Sequence, residues 1–465
     1  MNYRLPELEI SEADPFRNDV LNRKPLVEFL SALIDRLSGP FVLALDSPWG
    51  TGKTTLVRML KAKLEQEKFQ CIYFNAWQVD YVTDPLVALV SAVDDIQLAD
   101  ANAESAFRGH MKTAKKITSV VAKRVVIAGV KAATFGVLDL EDEIEKVTAE
   151  ATGEIAGNLV DSFQKEKKAL DKFRCEVEKA VEQLKAAEKK DRLVFFIDEL
   201  DRCRPTFAIE MLERIKHLFD VPNIIFVLSI DKTQLEASTA AVYGEKINAT
   251  EYLRRFIDLE YGIPVVQTKK FTANLITRFD LDSVFSLRIG SELQYDKSNF
   301  IEFFTLLADI FTLSLRARER CITRLAVIMD QTPPNHYLDP IMIALLVVLR
   351  SNEPKIFAAI CRDMVSPAEI MKTLSKLPGG YKLVSDRSGI VIESYLMAGD
   401  GDRDRTDARY KELEAISKNA AALPSEQSRA QDMLQMRGRL FTGFRSYFAL
   451  NDIAAKIDLV AMIKD

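Results

Sequence analysis

Residues 41–60 run from an unbroken apolar segment, FVLAL, through the turn DSPWGTGKTT into LVRML, which continues at helical spacing. A strand that empties into a glycine-bearing turn and restarts as a helix leaves few folds open. The backbone amides of such a turn face inward, and the helix that follows points its partial positive charge at the same spot. Gly50 and Gly52 let the backbone approach a phosphate without a clashing Cβ. Lys53 supplies an ammonium for phosphate oxygens, and Thr54 supplies a hydroxyl for a metal ion. Ser47 stands where the usual pattern carries its first glycine. That position is the strand exit, where a small residue suffices if its backbone angle is ordinary.

Further strands are expected at 71–77 (CIYFNAW), 193–198 (LVFFID) and 223–231 (NIIFVLSID). The last two carry continuous apolar runs, Leu193–Ile197 and Ile224–Leu228, as expected of strands covered on both faces. Helix-like segments separate the strands, with one near Pro25–Leu37 and one at Lys53–Gln66. The expected core is therefore a mostly parallel sheet between helical layers.

Between Asp94 and Lys190 the composition shifts to Ala, Glu and Lys. Leu170, Phe173, Val177, Ala180, Leu184 and Ala187 alternate steps of three and four, which puts one apolar seam on a charged helix. Such a seam serves equally a helix packed on its own domain or a coiled coil with a partner. Residues 118–138 look superficially like a membrane span, but Lys123, Arg124 and Lys131 interrupt them. Each central charge costs roughly 2.5–3.5 kcal/mol on insertion scales, so no transmembrane span is expected, and an amphipathic interfacial helix is the remaining membrane reading. From about Val265 the apolar residues fall at helical spacing, as in FIEFFTLLADIF and YLDPIMIALLVVLR, and predict a helical domain. GDGDRDRTDARYKELE at 399–414 reads as an exposed loop entering a helix. The domain reading is 1–264 for the nucleotide domain, with its insertion at about 94–190, and 265–465 for a helical lid and C-terminal domain.

In LVFFIDELDRCRP at 193–205, Asp198 ends an apolar strand where its carboxylate can hold magnesium. Glu199 follows directly and can act as the base for an attacking water. Asp201 either joins this acidic group or caps the next helix. The net charge of −5 offers no global basic surface to nucleic acid, though a local groove is compatible with it. Five scattered cysteines without a CxxC pair, and three distant histidines, predict buried reduced thiols and no zinc site. The acidic opening MNYRLPELEISEADPF lacks a secretory apolar run, which makes the cytoplasm the expected compartment.

SPWGTGKTT, FNAW at 74–77, FFIDELDRCRP, SIDKTQL at 229–235 and EYLRRFIDLEYGIP at 251–264 occur in this order, and together they resemble the KAP family of P-loop NTPases. LSLRARERCITRL at 313–325 resembles a segment of that family's helical lid. The resemblance leaves roughly the last 130 residues uncovered. It implies an α/β fold, an additional-strand P-loop NTPase related to AAA+ and STAND switches, with ATP and Mg2+ as cofactors.

By position, the resemblance puts Ser47, Trp49, Gly50, Thr51, Gly52, Lys53, Thr54 and Thr55 around the nucleotide, and Arg23, with Asn22 beside it, near the adenine. Thr54 and Asp198 would hold the metal, Lys53 and Glu199 would serve catalysis, Asp231 would act as a polar sensor, and Arg316 as a second sensor. Trp77 and Asn75 mark the family, with Trp77 expected to lie buried under the sheet. Arg202, Arg204, Arg254 and Arg255 are arginine-finger candidates for a homo-oligomer. Relatives in phage exclusion and other bacterial defence systems imply a switch or assembly motor working with a separate effector or sensor protein. A DNA-dependent motor and an ATP-binding scaffold are the competing readings.

Overall fold

The computed structural model describes residues 3–37, 39–98, 100–122, 153–264, 268–288, 293–333, 339–362, 364–442 and 450–458. The chain divides into two compact units, one of Leu8–Val265 and one that joins Met1–Glu7 to Val266–Asp465.

The first unit is built on five strands: β1 (Phe41–Asp46), β2 (Gln70–Asn75), β3 (Leu193–Asp198), β4 (Ile224–Ile230) and β5 (Leu259–Gly262). Their order is β2-β3-β4-β1-β5, and every pairing is parallel. β3 and β4 are buried at every position, as their apolar runs require, and the burial extends to the polar Asp198 and Ser229 at their C-terminal ends. β5 is an edge strand whose residues Leu259, Glu260 and Gly262 are exposed, and its polar sequence carries no apolar signal.

Two apolar layers cover the sheet. On one face, α1 (Lys24–Arg36) and α2 (Lys53–Gln66) bury Val27, Leu30, Leu56, Val57 and Leu60 against Leu43, Val194, Phe196 and Val227. On the other face lie α3 (Pro85–Ala92), α4 (Ala101–Ala122), α5 (Gly153–Ala186), α6 (Pro205–Leu218), α7 (Lys232–Tyr243) and α8 (Ala249–Leu253). Phe173, Val177, Ala180 and Leu184 of α5, with Ala187 just beyond it, are buried in this second layer, and Leu170 packs partly against it. The charged helix therefore spends its seam on its own domain. His110 of α4 and Glu176 of α5 meet at 2.8 Å across the pair.

Only the first residues of the 118–138 segment lie within the described part of the chain. Among the described residues no helix is long and apolar enough to cross a membrane.

The second unit is helical. Helix Pro340–Asn352 is buried from Pro340 through Leu349, in keeping with the apolar run over those residues, and is surrounded by helices that include Asp296–Ile310, Leu315–Gln331 and Leu450–Ile457. Arg288 and Asp296 form a fully buried ion pair at 2.8 Å. A smaller cluster gathers Ile390, Met397, Tyr410, Leu413, Ala430 and Met433. The charged stretch beginning at residue 399 leads into helix Arg403–Lys418, capped by the Asp402 side chain. Gly401 and Asp402 are exposed as expected, but Gly399 is buried and the Asp400 carboxylate is buried against Arg405.

Candidate functional site

The C-terminal ends of the parallel strands carry the polar residues. β2 and β3 pair so that Asn75 stands beside Asp198, and β3 and β4 pair so that Asp198 stands beside Ser229. Parallel partners share a face. All three therefore lie on the α1–α2 side, the side of the glycine turn, because the alternating residues Phe74, Ile197 and Leu228 belong to the opposite core.

The turn leaves β1 at Asp46. The Ser47 amide donates to the Ile230 carbonyl at 3.1 Å, continuing the β1–β4 ladder by one bond. Ser47 is buried and its hydroxyl hydrogen-bonds Thr51 Oγ1 at 2.7 Å. It is not among the residues with positive φ, whereas Gly50 and Gly52 are, at 80° and 88°. The conformational work of the turn thus falls on the two glycines, and serine at position 47 braces the turn across its mouth. α2 then starts at Lys53 with no side chain capping it, which leaves its first-turn amides available to an anion. Arg23 donates to the Thr51 carbonyl at 3.2 Å and to the Pro264 carbonyl at 3.2 Å, so it supports the turn from behind.

Lys53 turns its ammonium onto the Ser47 and Pro48 carbonyls. Burial lowers its proton affinity, and the surrounding carboxylates of Asp201, Asp231, Asp198 and Asp46 oppose that shift. Four acidic groups converging on one lysine mark where the field of this site is focused.

Asp198 is almost completely buried and accepts from Tyr73 Oη at 2.9 Å and from the Glu199 amide at 3.0 Å. Burial and the Asp198 charge push the Tyr73 hydroxyl well above its ordinary range, which keeps it a donor. Glu199 has φ 61° and ψ 25°, a left-handed conformation uncommon for a residue with a side chain. Its Oε2 accepts from Asn75 Nδ2 at 3.1 Å and its Oε1 lies 2.9 Å from an Arg202 nitrogen. Asp201 accepts from the Trp49 indole N–H, and burial raises its carboxyl against that bond and the pull of Lys53. Asp201 therefore joins the acidic group. Asp231 caps α7 by accepting from the Gln234 amide at 3.4 Å and is itself buried.

Some expected placements change. Trp77 does not lie under the sheet: it opens a 3-10 turn beyond the end of β2 and is 53% exposed. The strand alternation that would have turned it inward has already ended at Asn75. Asn75 contacts Glu199 directly, a role the sequence could not reveal because the partner lies on another strand. Ser229 was also missed. Its hydroxyl is fully buried beside Asp198, with no hydrogen-bond partner among the described residues.

Arg316 lies in the other unit, exposed on helix Leu315–Gln331. Among the finger candidates, Arg254 is exposed and paired with Glu251, Arg255 is exposed, and Arg204 binds Asp80. Asn22 is exposed with φ 53°. Thr54 and Thr55 are half-buried in the first turn of α2.

The donor set fits a magnesium-bound triphosphate: uncapped amides, one ammonium, the Thr54 hydroxyl, the buried Asp198 carboxylate and an unpartnered buried hydroxyl at Ser229. Among the described residues no group of three or more His, Cys, Asp and Glu side chains is arranged to hold a metal ion by itself. No curated protein matches the chain. A solved structure of the Aeropyrum pernix ORC2 protein, in ADPNP–ADP complexes, is 14% identical, with 99% of this chain and 96% of that chain covered at a TM-score of 0.35. The KAP family P-loop domain matches residues 23–330, well over half of the 465. With the glycine turn on α2 and the acidic end of β3 at one sheet edge, the chain belongs to the KAP family of P-loop NTPases.

Proposed function

We propose that this chain is a magnesium-dependent ATPase that acts as a nucleotide-driven switch or assembly motor. The observation that carries this reading is the meeting of Lys53, Asp198 and Glu199 at one end of one parallel sheet. Lys53 exchanges its two carbonyl partners for the β- and γ-phosphate oxygens, and the amides of the turn and of α2 bind the remaining oxygens. Thr54 and Asp198 are the residues that would hold a magnesium ion, which would supply positive charge to offset that of the phosphates. Glu199 takes the proton of the attacking water as its oxygen bonds to the γ-phosphorus and the bond to ADP breaks. Asn75 and Arg202 hold the Glu199 carboxylate. Asp231 and the Ser229 hydroxyl line the same strand edge and suit a water or a γ-phosphate oxygen.

The finer reading is a role in bacterial anti-phage defence, with assembly of copies and a separate effector protein. It is supported by the order of family motifs and by the lack of a nuclease, deaminase or protease pattern in the C-terminal sequence. The test is phosphate release by the purified chain, by Lys53→Ala and by Glu199→Gln, with and without DNA. Turnover in the wild type is expected to vanish in Lys53→Ala and to fall about 10²- to 10⁴-fold in Glu199→Gln, with nucleotide still bound by the latter. Equal turnover in all three sinks the catalytic assignment, and strong stimulation by DNA replaces the switch with a DNA-dependent motor.

A further inference from the structure

The chain has two tryptophans, and both lie against the same guanidinium. The central carbon of Arg202 is 5.8 Å from the ring centroid of Trp49 and 5.9 Å from that of Trp77. An Arg202 nitrogen lies 2.9 Å from Glu199 Oε1. Trp49 belongs to the phosphate turn and also donates its indole N–H to Asp201, the neighbour of Arg202 in the 3-10 turn Leu200–Arg202. Trp77 follows β2, two residues beyond the Asn75 that holds the other oxygen of Glu199.

Three elements far apart in sequence thus converge on one side chain. An arginine that served a neighbouring copy would have to leave all of these partners. A planar guanidinium is well suited to the role it has here, since it can meet aromatic rings while an edge nitrogen reaches a carboxylate. Both rings remain substantially exposed, so burial in a core does not explain their position.

We propose that Arg202 is a positioning residue: it aims the Glu199 carboxylate and couples that aim to the phosphate turn through Trp49. The proposal rests on the reading of this site as an ATPase. When the turn closes on a triphosphate, Trp49 moves with it. Trp49 is tied to Asp201 and its ring lies against the Arg202 guanidinium, so the 3-10 turn moves too, and Arg202 carries the motion to Glu199 on one side and to Trp77 on the other. Trp77 is therefore a distant reporter whose link to the phosphate turn runs through Arg202.

The experiment labels the full chain with 5-fluorotryptophan and follows its two 19F resonances while magnesium and a slowly hydrolysed ATP analogue are added. Trp49→Leu assigns the lines. In the wild type both resonances are expected to shift. In Arg202→Gln only the Trp49 line should shift, and in Trp49→Leu the remaining Trp77 line should stay still. Turnover by Arg202→Gln should fall about 10- to 100-fold in kcat, with KM for ATP little changed, as a misaimed base requires.

A Trp77 line that moves as much in either variant as in the wild type overturns the coupling. So does a wild-type Trp77 line that never moves while calorimetry shows nucleotide bound. A wild-type chain that binds no nucleotide by calorimetry fails earlier, and overturns the nucleotide-site reading along with this one.

Discussion

At the scale of single residues, Ser47 shows how a departure from a pattern can be built into a site. Its backbone angle asks for no glycine, and its hydroxyl braces Thr51. Ser47→Ala is expected to lose one partly buried hydrogen bond, about 1 kcal/mol, and to weaken ATP binding several-fold by calorimetry. Ser47→Gly, which restores the common residue, should bind no more tightly than the wild type. Tighter binding would mean that the serine is a defect and not a brace. The positions of Lys53, Thr54, Asp198 and Glu199 at strand ends and a helix start were legible because they depend on local spacing after a strand, and the roles proposed for them rest on that placement. Asn75, Ser229 and the exposed Trp77 were not, because what they touch is set by strand register: Asn75 and Glu199 are 124 residues apart.

Between elements, the most telling contact is a buried carboxylate that joins three helices. Glu213 of α6 accepts from Tyr243 of α7 at 2.9 Å and from Tyr252 of α8 at 3.0 Å. Burial raises its carboxyl above the ordinary value of 4.5, despite the two hydroxyl donors and Arg214. The Tyr243 hydroxyl is pushed up to about 12, mainly by burial, so it stays a donor. The sign follows: over the window from 4.5 up to the raised value, the folded chain holds a proton that the unfolded chain has released. The stabilising share of this group is complete below that window and is lost as pH rises through it. Glu213→Gln keeps an acceptor for the tyrosines without a charge. Its gain in urea midpoint is expected to be near zero at about pH 4 and clear at about pH 7. An equal gain at both would show that protonation of Glu213 is not the cause.

The elements themselves were mostly legible. β3 (Leu193–Asp198) and α2 (Lys53–Gln66) fall where apolar runs and the turn put them. β5 escaped notice because Leu259–Gly262 contains Leu, Glu, Tyr and Gly on a sheet edge, where no second layer demands apolar residues.

For the molecule as a whole, the division into two units has a direct consequence. Leu8–Val265 contains the turn, the strand edge and both layers of the sheet. Expressed alone, it is expected to fold and to bind magnesium and ATP with an affinity within about threefold of the full chain, by calorimetry. If it folds and binds but turns over far more slowly, the helical unit contributes to catalysis, and Arg316→Ala in the full chain asks whether that residue is responsible. The expectation of uniformly buried thiols fails at Cys175, which is exposed on α5, while Cys71, Cys203 and Cys321 are buried.

Cys203 offers something more. Burial pushes its thiol up to about 12, and it sits four residues past Glu199, with Sγ 3.5 Å from the Glu199 carbonyl. Because alkylating reagents attack the thiolate, iodoacetamide can reach this buried sulfur only during moments when the turn after β3 opens. The rate of labelling at Cys203, read by peptide mass against the immediate reaction at Cys175, is a stopwatch for those openings. Bound nucleotide should slow it in proportion to the stability it adds.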